Sequence, residues 1–125
     1  MRELTKAEEE VMQILWDLEE GFVKEIRAEM PAPKPAYNTV STIIRILEKK
    51  GFVWHHVFGN THQYYPLVSR KMYSKKKVSS MVRQYFKNSY SELVSFFAKN
   101  KEISVKEMEE IIEIINQELK NKQNE

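Results

Sequence analysis

The chain has 125 residues, 42% of them hydrophobic, with no cysteine and a formal net charge of +2. That length supports one or two small domains with a real core, and the missing cysteines exclude disulfides, thiolate metal sites and cysteine nucleophiles. The small net charge conceals a basic middle, because over residues 45–87 the only acid among many Lys and Arg is Glu48; such a stretch is the footprint of a phosphate-binding surface.

Thr5, Lys6, Ala7 and Glu8 match the S/T-x-x-E capping box and place a helix start at about Lys6. Ala7, Val11, Ile14, Leu15 and Leu18 supply its buried stripe, Met12 and Trp16 widen it, and its acids read as a solvated face. The pattern breaks at Glu20-Gly21. A shorter helix fits residues 23–30, with Phe22 or Val23, Ile26 and Met30 inward, and the prolines at 31, 33 and 35 end it.

Residues 37–51 carry the sharpest signal. Val40, Ile43, Ile44 and Leu47 fall at i, i+3, i+4 and i+7, one apolar stripe of a helix that must face a core. Asn38, Ser41, Thr42, Arg45 and Lys49 occupy the other side. Short hydrogen-bonding groups interleaved with long cations suit the major groove, where small polar side chains reach base edges and Arg grips guanine bidentately. Asn38 caps the helix or opens its first turn, and Gly51 supplies a left-handed stop.

After Gly51 the period becomes strand-like. Residues 52–58 and 61–67 flank Gly59-Asn60, a hairpin signal. Three helices followed by a hairpin is the order of a winged helix-turn-helix, whose third helix enters the major groove while the wing, here with Asn60 and His62, lies along the backbone or an adjacent minor groove. His55, His56 and His62 do not form a metal site, since adjacent strand residues point to opposite faces. Phosphate contacts or plain surface positions fit them better.

The remainder reads as three helices. The first covers about residues 69–88, the second opens with the Ser89-x-x-Glu92 box, and the third runs from Ser104-x-x-Glu107 to about Lys120, leaving a frayed tail over residues 121–125. Val82, Phe86, Leu93, Val94, Phe97, Met108, Ile111, Ile112 and Ile115 present more apolar surface than three such helices can bury alone, which favours a second copy of the chain over the alternative, a fold back on the N-terminal domain within one chain. The expected fold is mainly α with a small β-hairpin: a winged helix-turn-helix DNA-binding domain over residues 1–68 and a helical dimerisation domain over residues 69–125. No apolar run approaches a membrane span and no signal peptide is legible, so a cytoplasmic protein is expected. No cofactor and no metal are expected. Gly-rich phosphate loops, H-E-x-x-H, G-x-S-x-G and convincing carboxylate pairs are all missing, which argues against an enzyme. The competing reading is a winged-helix module that assembles proteins without binding DNA. The polar and cationic outer face of the third helix argues against it.

The run from Asn38 through Thr39, Val40, Ser41, Thr42, Ile43, Ile44, Arg45, Ile46, Leu47, Glu48, Lys49, Lys50, Gly51 and Phe52 to Val53 resembles the penicillinase-repressor family. Thr5, Glu8, Val11, Met12, Ile14, Leu15 and Trp16 before it, and His62, Tyr64, Tyr65, Pro66 and Leu67 after it, extend the resemblance. It covers the chain well to about Leu67 and continues more loosely through the C-terminal helices. It implies a homodimeric repressor on a palindromic operator of an antibiotic-resistance or stress-type operon, with recognition positions at Asn38, Thr39, Ser41, Thr42 and Arg45. In the family's β-lactam repressors a membrane-bound sensor protease triggers cleavage at an Asn-Phe bond, to which Ser95-Phe96 is the nearest counterpart. The paired cysteines of its copper repressors have no counterpart.

Overall fold

A computed structural model describes residues 2–124. The chain runs α1 (Lys6–Leu18), β1 (Gly21–Phe22), α2 (Val23–Ala28), α3 (Tyr37–Lys49), β2 (Val53–Phe58), β3 (Thr61–Pro66), α4 (Arg70–Tyr85), α5 (Tyr90–Lys99) and α6 (Val105–Gln123). It is mainly helical with one small antiparallel sheet, and it divides into two compact units, Met1–Lys75 and Lys76–Glu125.

In the first unit α1 starts where its capping box requires. The Glu8 amide donates to Thr5 Oγ1 at 3.2 Å and the Thr5 amide to Glu8 Oε1 at 2.9 Å, so two orphan helix donors are satisfied reciprocally. The helix α2 uses a related device, with the Phe22 amide donating to Glu25 Oε1 at 2.9 Å. It ends at Ala28, two residues short of the expected end, although Met30 is buried as expected. The N-cap of α3 is Ala36 rather than Asn38, which sits in the first turn. Its other end is a complete Schellman closure: the Phe52 amide donates to Leu47 O at 2.9 Å and the Gly51 amide to Glu48 O at 3.1 Å, with Gly51 at φ +83°.

The closure turns the chain directly into β2, and Gly59 at φ +59° turns it again into β3. The sheet order is β1-β3-β2, with Trp54 opposite Tyr65, His55 opposite Tyr64 and Val57 opposite His62. Strand β1, absent from the sequence reading, pairs Gly21 with Tyr64 and Phe22 with Gln63, fastening the hairpin to the start of α2. Two residues are too short for a period-2 signal.

The core joins Val11, Met12 and Leu15 of α1, Ile26 of α2, Val40, Ile44 and Leu47 of α3, Phe52, and Val53 of β2. Ile43 packs against it partly buried, whereas Ala7 is exposed and outside the stripe assigned to it. The reading of the α1 acids as a solvated face fails at Glu8, which is buried. Lys50 Nζ, at the end of α3, donates to its Oε1 at 2.6 Å. Burial works to raise the Glu8 carboxyl, but Lys50 and the Thr5 donors outweigh it and hold the group below the usual carboxylate range.

In the second unit Ser89 and Ser104 cap α5 and α6, each accepting from an amide three residues on at 3.1 Å. Phe86 and Phe96 meet edge to face, centroids 5.6 Å apart. No residue of α5 or α6 is buried. The residues expected to form a frayed tail are partly helical, since α6 continues to Gln123; Glu125 lies outside the described residues.

Candidate nucleic-acid interface

The inward stripe of α3 fixes what the helix shows outside. With Val40, Ile44 and Leu47 buried, Asn38, Thr39, Thr42, Arg45 and Lys49 are exposed and Ser41 is half-buried. Asn38, Thr42, Arg45 and Lys49 form the outermost row, with Ser41 on one flank and Thr39 on the other. The Thr42 hydroxyl donates to Asn38 O at 2.9 Å, which orients its lone pairs outward as acceptors. Among the described residues neither Arg45 nor Lys49 enters a salt bridge.

Glu48, the one acid of this segment, would repel a phosphate backbone. The structure disposes of it: His55 Nδ1 donates to Glu48 Oε1 at 2.6 Å, with both side chains largely covered. The carboxylate is thus spent on anchoring β2 to α3. Burial, and then the nearby Glu48 charge, push the Tyr64 hydroxyl up from its ordinary value, keeping it a neutral donor beside this pair.

Between α3, the start of α2 and the hairpin lies an open cleft of about 450 Å³. Tyr37, Ser41 and Arg45 line it from α3, Lys24 and Glu25 from α2, and Asn60, Thr61, His62 and Tyr64 from the hairpin. The structure therefore brings Ser41, Arg45, Asn60 and His62 together on one concavity, while Asn38, Thr39, Thr42 and Lys49 remain on the convex helix surface. Lys24 and Tyr37 were missed in the sequence. Tyr37, one helical turn before Ser41 and two before Arg45, could have been found by extending that row backward; Lys24 carries no such signal. His55 and His62 lie on one sheet face with parallel rings 4.0 Å apart, and His56 stacks instead on Tyr65. Parallel rings do not aim their lone pairs at a common point. Among the described residues no cluster of three His, Cys, Asp or Glu could hold a metal.

The residues expected at the dimer surface are less uniformly placed. Val94, Phe97, Ile112 and Ile115 are exposed, Phe86, Leu93, Met108 and Ile111 are half-buried, and Val82 is fully buried within the chain. Ser95 and Phe96 stand in the middle of α5.

Comparison with known proteins decides what this architecture is for. The sequence pattern of the penicillinase repressor family matches residues 4–117. The chain belongs to that family. The methicillin resistance regulatory protein MecI of Staphylococcus aureus (strain N315) is 30% identical over 115 residues, 91% of this chain and 94% of its own length. The penicillinase repressor of Bacillus licheniformis is 27% identical over 124 residues, 98% of this chain and 96% of its own. A solved CopR repressor structure is 32% identical, spans 54% of this chain and 100% of its own, and superposes with a TM-score of 0.46. Like the rest of the penicillinase repressor family, this protein is a DNA-binding transcriptional repressor and not an enzyme. No helix among the described residues is long and apolar enough to cross a membrane.

Proposed function

We propose that this repressor acts as a homodimer on a palindromic operator, with α3 of each copy in the major groove of one half-site. The observation that carries the reading is the outer row of α3, where Asn38, Thr42, Arg45 and Lys49 stand exposed while the neighbouring acid Glu48 is occupied by His55. Asn38, Thr39, Ser41, Thr42 and Arg45 contact bases or the phosphates beside them, Lys49 neutralises backbone charge, and Asn60 and His62 reach the backbone from the hairpin.

Dimerisation falls to the second unit. Phe97, Ile112 and Ile115 are 39%, 56% and 55% exposed, and exposed apolar patches mark interaction sites. Val82 is already covered inside the chain, so the partner surface consists of Phe86, Leu93, Val94, Phe97, Met108, Ile111, Ile112 and Ile115. The regulated operon is of the antibiotic-resistance or stress type, by similarity to the methicillin and penicillinase regulators, and the protein works in the cytoplasm, where the DNA is. Induction by a membrane sensor protease acting at Ser95-Phe96 would require α5 to unwind, since the bond is mid-helix.

The test is footprinting on the DNA upstream of the protein's own gene. Two protected half-sites about one helical turn apart, related by a dyad, support the reading; a single or undirected footprint goes against it.

A further inference from the structure

DNA recognition by α3 does not account for the paired histidines of the hairpin. His55, half-buried, donates from Nδ1 to Glu48 Oε1, and its ring lies 4.0 Å from that of His62 with 3° between their planes. His62 is exposed and lines the cleft. Around it stand Tyr37 and Arg45 from α3, Tyr64 from its own strand, and Lys24 and Glu25 from α2. Glu25 is the only carboxylate among the lining residues, and its Oε1 already accepts from the Phe22 amide.

The inference rests on the DNA reading given above. In B-form DNA a single sugar-phosphate strand separates the major groove from the adjacent minor groove. With α3 in one groove and the hairpin tip along the other, that strand passes between them, and the cleft is what the protein presents there. An anion placed beside an imidazole favours its charged form. A histidine is the side chain whose charge responds to this between about pH 5 and 8.

We propose that the cleft seats one backbone phosphate of each half-site, held by Lys24, Tyr37 and His62, and that His62 takes up a proton from solvent as the phosphate enters. Arg45, which belongs both to the cleft wall and to the outer row of α3, stays available to a base edge. Operator binding is then linked to proton uptake and is tighter at pH 6 than at pH 8.

The experiment uses the full chain and its preferred duplex from upstream of its own gene, with one phosphate at a time replaced by an uncharged methylphosphonate. Binding of the parent and of His62→Gln is measured at pH 6 and pH 8; His62 is exposed, so the variant folds. The parent is expected to bind the plain duplex about tenfold more tightly per half-site at pH 6. One neutralised position should cost it about tenfold and abolish the pH effect. His62→Gln should show neither the pH effect nor that penalty. An equal pH effect in His62→Gln, or no position whose neutralisation depends on His62, overturns the proposal and leaves the DNA reading standing. If neither protein prefers this duplex to an unrelated one, both fall.

Discussion

Glu8 shows how one side chain ties two helices together. The residue is 5% exposed, and its carboxylate takes hydrogen bonds from the Thr5 amide and from Lys50 at the end of α3. Removing one member of a buried pair leaves the other uncompensated, so Lys50→Met should destabilise the first unit by on the order of 3 kcal/mol in urea unfolding. The pH dependence has a definite sign. Burial opposes the Glu8 charge, the Lys50 and Thr5 hydrogen bonds more than restore it, and the folded chain therefore ionises below the unfolded one. This stabilisation is complete above the ordinary glutamate range of about 4.3 and is lost as pH falls through the lowered folded value. In Lys50→Met the fall over that window should flatten. Neither partner was legible in the sequence as anything but a surface charge, because 42 positions separate them and only the packing of α1 on α3 brings them together. Lys24 escaped for the same reason, since the cleft exists only once the hairpin folds back over α3, whereas Tyr37 stood on the row of Ser41 and Arg45 and could have been read from it. Arg45, by contrast, declared itself by its place opposite the apolar stripe. Arg45→Ala should leave thermal stability unchanged, since the side chain is exposed, and cost about 1–3 kcal/mol of operator binding per half-site in titrations.

At the scale of elements, α3 and its ends were the most legible part of the chain. Three signals agreed there: the 3.6-residue stripe, the prolines before it and the glycine after it. The outcome is a helix whose exit geometry is set by Gly51. No atom stands within 4 Å of where a Cβ would project, so Gly51→Ala meets no clash and pays only for the left-handed backbone. A destabilisation of roughly 1–2 kcal/mol is expected, read as a lower urea midpoint with unchanged slope. The same reasoning missed β1, whose two residues are recruited by the edge of β3 rather than by any preference of their own. Local signals left Asn38 either at the cap or in the first turn; the chain puts it in the first turn, with Ala36 as the cap and Tyr37 as the first helical residue, and Asn38 stays on the outer face.

For the whole molecule, the two units differ in what they bury. The first has a closed core drawn from α1, α2, α3, Tyr73 of α4 and the sheet; α5 and α6 bury nothing completely. Hydrophobic periodicity identified these helices, and no single-chain pattern could say what covers them. Ile112→Glu should convert a dimer into monomers by sedimentation equilibrium, leave the first unit folded, and weaken operator binding through lost avidity rather than lost base contacts. The most direct test of the central claim is binding of the protein to tiled duplexes from the DNA upstream of its own gene, at two salt concentrations, beside Arg45→Ala. One duplex should bind far above the rest, with log K falling by about 0.9 for each phosphate neutralised as log salt rises. Arg45→Ala should lose that preference and keep the salt-sensitive background. If no duplex is preferred and the variant matches the parent, α3 does not read DNA.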